Sequence, residues 1–286
     1  MLKKILIAGG CLMGAMASTG CSESGGPQWR LAVMSYTFNR FTLIEAIDKT
    51  RQVGAGYLET FSWQKVSPDR GNMQFNADMP AAAMDEVKQK LKDGKVKLTG
   101  YYFHELGKDE PATRKVFEFC RKMGMEYIVS EPDEKVLPLV DRLAQEYKVK
   151  VAIHNHPKDP KKPDYANWDP DGVMKMIDGC SKWIGCCADN GHWGRSGLDS
   201  TECIRKYQDR LLTMHLKDLN KLDPGAHDVP YGTGVIDLKG MLAEVKRQGC
   251  PVVFAIEYEH NMENNVDDVA QCVKYFNMVK DELGVK

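Results

Sequence analysis

Eight times along this chain a short apolar run rich in β-branched and aromatic residues gives way to a stretch with the periodicity of an amphipathic helix. That alternation constrains the fold more than any other feature. The strand-like runs are 31–38, 57–61, 97–103, 127–130, 150–154, 184–189, 212–216 and 252–257. The helical patterns between and after them are 43–53, 82–92, 113–123, 135–147, 173–180, 200–207, 238–248 and 266–283. Gly54, Gly124, Gly249 and Gly284 stand just past four of these helices, where a left-handed residue ends a helix at least cost. A strand, a helix and another strand in repetition make neighbouring strands parallel, because a parallel pair needs a crossover connection. Eight such pairs over residues 29–286 predict one closed (β/α)8 barrel domain, which takes about 250 residues. The alternative is an open doubly wound sheet, which more often stops at about six strands. The longest insertions, 62–79, 157–171 and 218–236, each follow a strand, and loops in that position build the working face of a barrel.

The first 20 residues read as an export signal: Lys3 and Lys4, an apolar run from Ile5 to Ala17, then small residues before Cys21. The apolar run falls short of the roughly 20 residues that a membrane span needs. The segment resembles a bacterial lipoprotein signal, which implies acylation of Cys21, a flexible tether over 21–28 and a barrel held at the cell envelope by lipid alone. An ordinary secretory signal is the alternative. Of nine cysteines, Cys11 leaves with the signal and Cys21 is committed to lipid, so seven remain and cannot all pair. Most of these sit in apolar patterns, as small buried hydrophobes do. A formal net charge of −1 with no block of like charge argues against a nucleic-acid partner.

Metal-capable side chains gather where the later strands end: His154 and His156, Asp189 and His192, His215 with Lys217 and Asp218, Glu257 and Glu259. In a parallel barrel these ends converge on one mouth. Residues two apart on a strand share a face, so His154 and His156 can both point inward, as can His215 and Lys217. Each has a plainer reading as well. The histidines could be hydrogen-bonded at a polar strand end, Asp189 could cap the next segment, Lys217 and Asp218 could form a surface ion pair, and Glu257 could answer a barrel arginine. Glu257 follows an otherwise apolar run, where an unpaired carboxylate is costly.

Asp189-Asn-Gly-His192, His215-Leu-Lys-Asp218 and Ala255-Ile-Glu257 resemble the Asp-x-x-His, His-x-Lys-Asp and final glutamate of the xylose isomerase-like barrels. That family includes sugar isomerases and epimerases, inosose dehydratase and endonuclease IV. The Gly232-Thr-Gly234 turn also fits. The resemblance implies one divalent metal ion held by His154, Asp189, His215 and Glu257. The family commonly carries glutamate where this chain has His154, which puts a two-glutamate epimerisation in doubt. A mixed imidazole and carboxylate set accepts Mn²⁺, Co²⁺, Zn²⁺ or Fe²⁺.

Such an ion would polarise a sugar carbonyl and acidify the adjacent C–H. Glu257, His156 and Lys217 are then the acid/base candidates, with His192 and Arg195 on substrate hydroxyls and Glu59, Tyr36 and His104 on the opposite wall. Trp63, Trp168 and Trp193 are candidates for stacking on a sugar ring. The implied function is a metal-dependent carbohydrate isomerase or epimerase. Two other readings stand beside it: a 3-keto-glycoside lyase of the same fold and a non-catalytic carbohydrate-binding lipoprotein. A DNA-repair role fits least, since there is no basic face and too few ligands for three zinc ions.

Overall fold

The computed structural model describes residues 29–285, so the export signal, Cys21 and the tether lie outside the described residues. Eight parallel strands close into a ring: β1 (Arg30–Met34), β2 (Tyr57–Phe61), β3 (Lys97–Tyr102), β4 (Tyr127–Ser130), β5 (Lys150–Ile153), β6 (Ile184–Asp189), β7 (Leu211–Leu216) and β8 (Val253–Ile256). Closure runs through β1 on β8, with Arg30 opposite Val253 and Val33 opposite Ile256. The predicted (β/α)8 barrel is the observed fold.

The helices are α1 (Leu43–Gln52), α2 (Ala81–Gly94), α3 (Glu110–Met123), α4 (Leu137–Tyr147), α5 (Pro170–Met176), α6 (Asn190–Arg195), α7 (Ser200–Tyr207), α8 (Leu238–Gln248) and α9 (Val266–Glu282). Aspartates start many of them. Asp109, Asp169, Asp189, Asp199 and Asp237 each accept a first-turn backbone N–H, a contact worth about 1 kcal/mol. This is why α3 and α5 begin three residues earlier than their apolar periodicity suggests: the capping aspartate and the proline that follows set the start. The first predicted strand is also shorter. Residues Ser35–Phe38 wind into a 3-10 turn, and the Thr37 hydroxyl clips that turn to the end of β8 by donating to Ile256 O (3.1 Å) and accepting from Tyr258 N (2.9 Å).

Two apolar regions hold the barrel. The larger lies between strands and helices and takes in residues such as Phe38, Leu58, Phe117, Ile128, Leu143, Ile204, Val245 and Phe276. The smaller fills the interior with Ala32, Met34, Phe61, Tyr102, Tyr127, Val129, Ala152, Cys187 and Ala255. Burial of each large apolar side chain contributes roughly 1.5–3 kcal/mol. Small residues inside make room for large ones. A Cβ at Gly100 would collide with the Tyr127 ring, and only that ring's position lets its hydroxyl reach Glu59 at 2.7 Å. The seven described cysteines are all free thiols, mostly buried. Among the described residues no helix is long and apolar enough to cross a membrane.

Candidate metal centre and substrate pocket

Past the last ladder hydrogen bonds, two asparagine side chains keep the late strand ends in register. Asn155 accepts from Asp189 N (2.9 Å) and donates to Asp189 O (3.0 Å). Asn190 repeats the pattern one strand on, accepting from Lys217 N (2.9 Å) and donating to Lys217 O (2.7 Å). These amides fix the backbone from which His154, Asp189 and Lys217 project inward.

His154, Asp189, His215 and Glu257 each offer one ligand atom, all within 4.8 Å of one another. Both imidazoles are built alike. His215 Nε2 donates to Glu59 Oε1 at 2.6 Å, leaving Nδ1 on the Glu257 side. His154 Nδ1 lies 3.3 Å from Glu131 Oε1, leaving Nε2 towards Asp189. The two inward nitrogens, His154 Nε2 and His215 Nδ1, are buried and make no aligned hydrogen bond, lying 3.8 Å from Asp189 Oδ2 and 3.1 Å from Glu257 Oε2. A buried nitrogen without an aligned partner is costly, and a carboxylate behind the opposite ring nitrogen is the usual support for a metal-bound histidine. The four residues therefore fit a divalent cation. Asp189 combines both of its sequence readings, since Oδ1 caps α6 through His192 N (2.8 Å) while Oδ2 faces the site.

Lys217 stands beside these ligands with Nζ on Asp189 Oδ2 (2.7 Å), on Glu257 Oε2 and 3.1 Å from Glu259 Oε1. Its stem lies against Gly191, where a Cβ would come 2.7 Å from Lys217 Cβ. Only glycine permits that approach in the Asp-Asn-Gly-His segment. Burial pushes the ammonium towards neutrality, but Asp189, Glu257 and Glu259 outweigh it and raise its pKa well above the usual value. In metal-free protein the lysine is therefore held in its charged form beside Asp189 and Glu257. Glu257 shares that ion pair. Burial raises its proton affinity, yet Lys217 and His215 pull it below the normal carboxylate range. The barrel arginine considered for Glu257 is replaced by this lysine and histidine. The surface pair proposed for Lys217 and Asp218 is absent too: Asp218 is buried and accepts from the backbone N–H of Leu219, Gly232, Gly234 and Ile236. It thereby folds the Gly-Thr-Gly loop, which a short ribbon of Asp218–Leu219 on Asp228–Val229 begins.

A pocket of 170 Å³ opens above the ligands, lined by Met34, Tyr36, Trp63 and Tyr102 on one side and His156, His192 and Glu259 on the other, with His154 and Glu257 at its floor. His156 is 45% exposed and its Nδ1 sits 2.7 Å from Glu131 Oε1. Glu131 is the residue that sequence reasoning missed. Its carboxylate also accepts from the Tyr102 and Tyr165 hydroxyls, both at 2.8 Å, and burial, which opposes its charge, is outweighed by His104, His154 and His156, so its pKa is lowered. The available signal was a lone carboxylate directly after an apolar strand, in Ser130-Glu131-Pro132.

Several other candidates fall elsewhere. Glu59 is completely buried between His215 and Tyr127 and cannot touch substrate. His104 faces a neighbouring cleft with Glu131 and Tyr165. Arg195 is spent on Asp228 (2.6 Å) and Ala226 O (3.2 Å) and stands 3.4 Å from His192 Nδ1, so it positions His192. Burial drives the His192 pKa well down, outweighing the pull of Asp189, which leaves a neutral ring suited to hydroxyl groups. Trp193 is buried against Tyr207, and Trp168 lies under Lys158. Tyr36 and Trp63 do line the pocket.

The sequence matches the xylose isomerase-like TIM barrel family over residues 47–276. The protein belongs to that family. Among solved structures, this xylose isomerase-like barrel is similar to an uncharacterised protein from Parabacteroides distasonis ATCC 8503, at 28% identity and a TM-score of 0.69 over 87% of this chain and 98% of that one. It is also similar to a D-tagatose 3-epimerase-like protein, at 16% identity and a TM-score of 0.70 over 89% of this chain and 98% of that one. A third is the IOLI protein with a binding zinc atom, at 16% identity and a TM-score of 0.68 over 89% of this chain and 99% of that one. At 16% identity the last two likenesses speak for the shared barrel. No curated protein matches the sequence.

Proposed function

We propose that the protein is a divalent-metal-dependent carbohydrate isomerase that removes a proton beside a sugar carbonyl. The observation that carries this reading is the pair of buried imidazole nitrogens that face Asp189 and Glu257 with all four ligand atoms within 4.8 Å of one another, each ring backed by its own carboxylate. A Mn²⁺, Co²⁺, Zn²⁺ or Fe²⁺ ion on His154, Asp189, His215 and Glu257 would polarise the carbonyl and acidify its neighbouring C–H.

His156 is the base. With Nδ1 turned to Glu131 at 2.7 Å, its Nε2 is left as the proton acceptor at the pocket wall, and Glu131 steadies the imidazolium that forms, as an aspartate does behind a catalytic histidine. His192 and Tyr36 hold the sugar, and Lys217 keeps two of the ligand carboxylates charged and in place. Epimerisation calls for proton handling on both faces of the reacting carbon. With Glu257 and Lys217 locked to each other, one available base favours isomerisation over epimerisation.

A lyase acting on a 3-keto-glycoside uses the same first step, and a specific feature favours it as the second reading. A cleft of 490 Å³ lies on the far side of Glu131, with room for a leaving group. Acylation at Cys21 would anchor the barrel to the cell envelope, where free glycosides are met.

The test is proton exchange from D₂O, read by NMR, for metal-loaded protein with free sugars, sugar phosphates and 3-keto-glycosides. Deuterium should enter at the carbon beside the carbonyl. His156→Ala should slow exchange by about 10²–10⁴-fold with metal retained. Exchange on no member of the panel would refute the enzyme and leave a binding protein, and unchanged exchange in His156→Ala would remove that residue as base.

A further inference from the structure

The two walls of the pocket differ in chemistry. Trp63 is 44% exposed and stands at the centre of an aromatic group, with ring centroids 4.8 Å from Phe61, 5.7 Å from Tyr102 and 6.2 Å from Tyr36. These rings come from the ends of β1, β2 and β3 and from the loop after β2, so they form a rigid apolar shelf. The facing wall of His156, His192 and Glu259 is polar. A sugar ring has the same two-sided character, with C–H groups on one face and hydroxyls around its edge.

Charge narrows the ligand further. Among the described residues, no lysine or arginine lines the pocket. The two cations that contact pocket-lining residues are already committed, Lys217 to Asp189, Glu257 and Glu259, and Arg195 to Asp228. Of the four ligands two are carboxylates, Asp189 and Glu257, and Glu59 and Glu131 stand behind the two histidines, so a bound divalent ion and the lysine still leave an excess of negative charge, with Glu259 beside them. The adjoining cleft adds Glu105, Asp133, Glu134 and Asp164 against Lys108 and His104, and Lys108 is itself paired with Glu105. A phosphate group entering either space would meet like charge with no guanidinium or ammonium to receive it.

We infer that the pocket selects uncharged sugars, seated with a C–H face on Trp63, and rejects their phosphates. This rests on the reading of the site as a carbohydrate pocket and adds the class of sugar. The test is isothermal titration of the full-length, metal-loaded protein with D-fructose and D-glucose and with their 6-phosphates. Each free sugar should bind at least about tenfold more tightly than its phosphate. Trp63→Ala should weaken the free sugar by about tenfold and Trp63→Phe should restore most of that, with metal content unchanged in both. Trp63 is exposed, so neither substitution endangers the fold. Phosphates binding as tightly as free sugars, or free-sugar affinity unaffected by Trp63→Ala, would overturn the inference. If proton exchange fails on every sugar while the binding contrast holds, the isomerase reading falls and the selection of uncharged sugars stands.

Discussion

Replacing Glu59 by glutamine separates a ligand-positioning residue from a substrate wall. Glu59 is wholly buried, its Oε1 accepts from His215 Nε2 at 2.6 Å and its Oε2 accepts from Tyr127 at 2.7 Å. Glutamine has the same shape and can keep both contacts, with its oxygen towards His215 and its amide towards the tyrosine oxygen. What it loses is the charge behind the imidazole. Loss of such a supporting partner typically costs about 10–100-fold in metal affinity, or about 1.4–2.8 kcal/mol. In metal-free protein the same change turns a charge-assisted hydrogen bond, worth about 1.5–3 kcal/mol, into a neutral one worth about 0.5–1.5 kcal/mol. Competition against a chromophoric chelator at fixed pH measures the first quantity, and chemical denaturation in the presence of EDTA measures the second. The KM for sugar at saturating metal should not move. Metal affinity within about twofold of wild type, together with a raised KM, would refute the reasoning and return Glu59 to the substrate wall.

Stability should depend on pH in opposite ways with and without metal. Burial lowers the proton affinity of His154 and His215, but Asp189 and Glu131 for the first, and Cys187, Glu257 and Glu59 for the second, outweigh it and raise both pKa values. A raised histidine stabilises the fold fully below its unfolded pKa of about 6.5 and loses that contribution as pH climbs through the folded value. Burial opposes the Asp189 charge, but the Lys217 ammonium on its Oδ2 outweighs that and depresses its pKa, so its contribution is present above about pH 4 and fades as pH falls further. EDTA-treated protein should therefore melt highest between about pH 4 and 6.5 and decline towards pH 9, while metal-saturated protein should not decline, because the ion displaces those protons. Parallel melting profiles for the two forms would contradict this. Lys217→Met should destabilise metal-free protein by about 3–5 kcal/mol, since Asp189 and Glu257 lose their buried counter-charge, and added Mn²⁺ should recover much of that in a thermal melt. A variant as stable as wild type in EDTA would show that the ion pair does not hold the site.

The barrel was legible because parallel strands buried on both faces read as continuous apolar runs, and β2, β4 and β6 start and stop where the pattern does. Helix starts were less legible, since Asp109 and Asp169 set them through polar contacts that apolar periodicity does not register. Helix α6 was not foreseen: Asn190-Gly-His-Trp-Gly has poor helix propensity, and it winds because Asp189 caps it and Gly191 seats the Lys217 stem. In the candidate site, charged residues that end apolar runs stood out at His154, Asp189, His215 and Glu257. Depth did not. A period of two gives the face of a strand but not the layer, so Glu59 could not be told from a pocket residue although it lies beneath His215. Glu131 was hidden for a different reason: its importance lies in five partners from the ends of β3 and β5 and from the loop after β5, and none is near it in sequence.

The proposed function rests on four side chains from neighbouring strands sharing one cation. Elemental analysis after loading with Mn²⁺, Co²⁺ or Zn²⁺ and exhaustive dialysis measures this directly. Wild-type protein should retain about one ion per chain, and Asp189→Ala and His215→Ala should each retain less than about a tenth while keeping the circular dichroism of the intact barrel. Full loading in either variant, or none in the wild type with any of the three metals, would contradict the account.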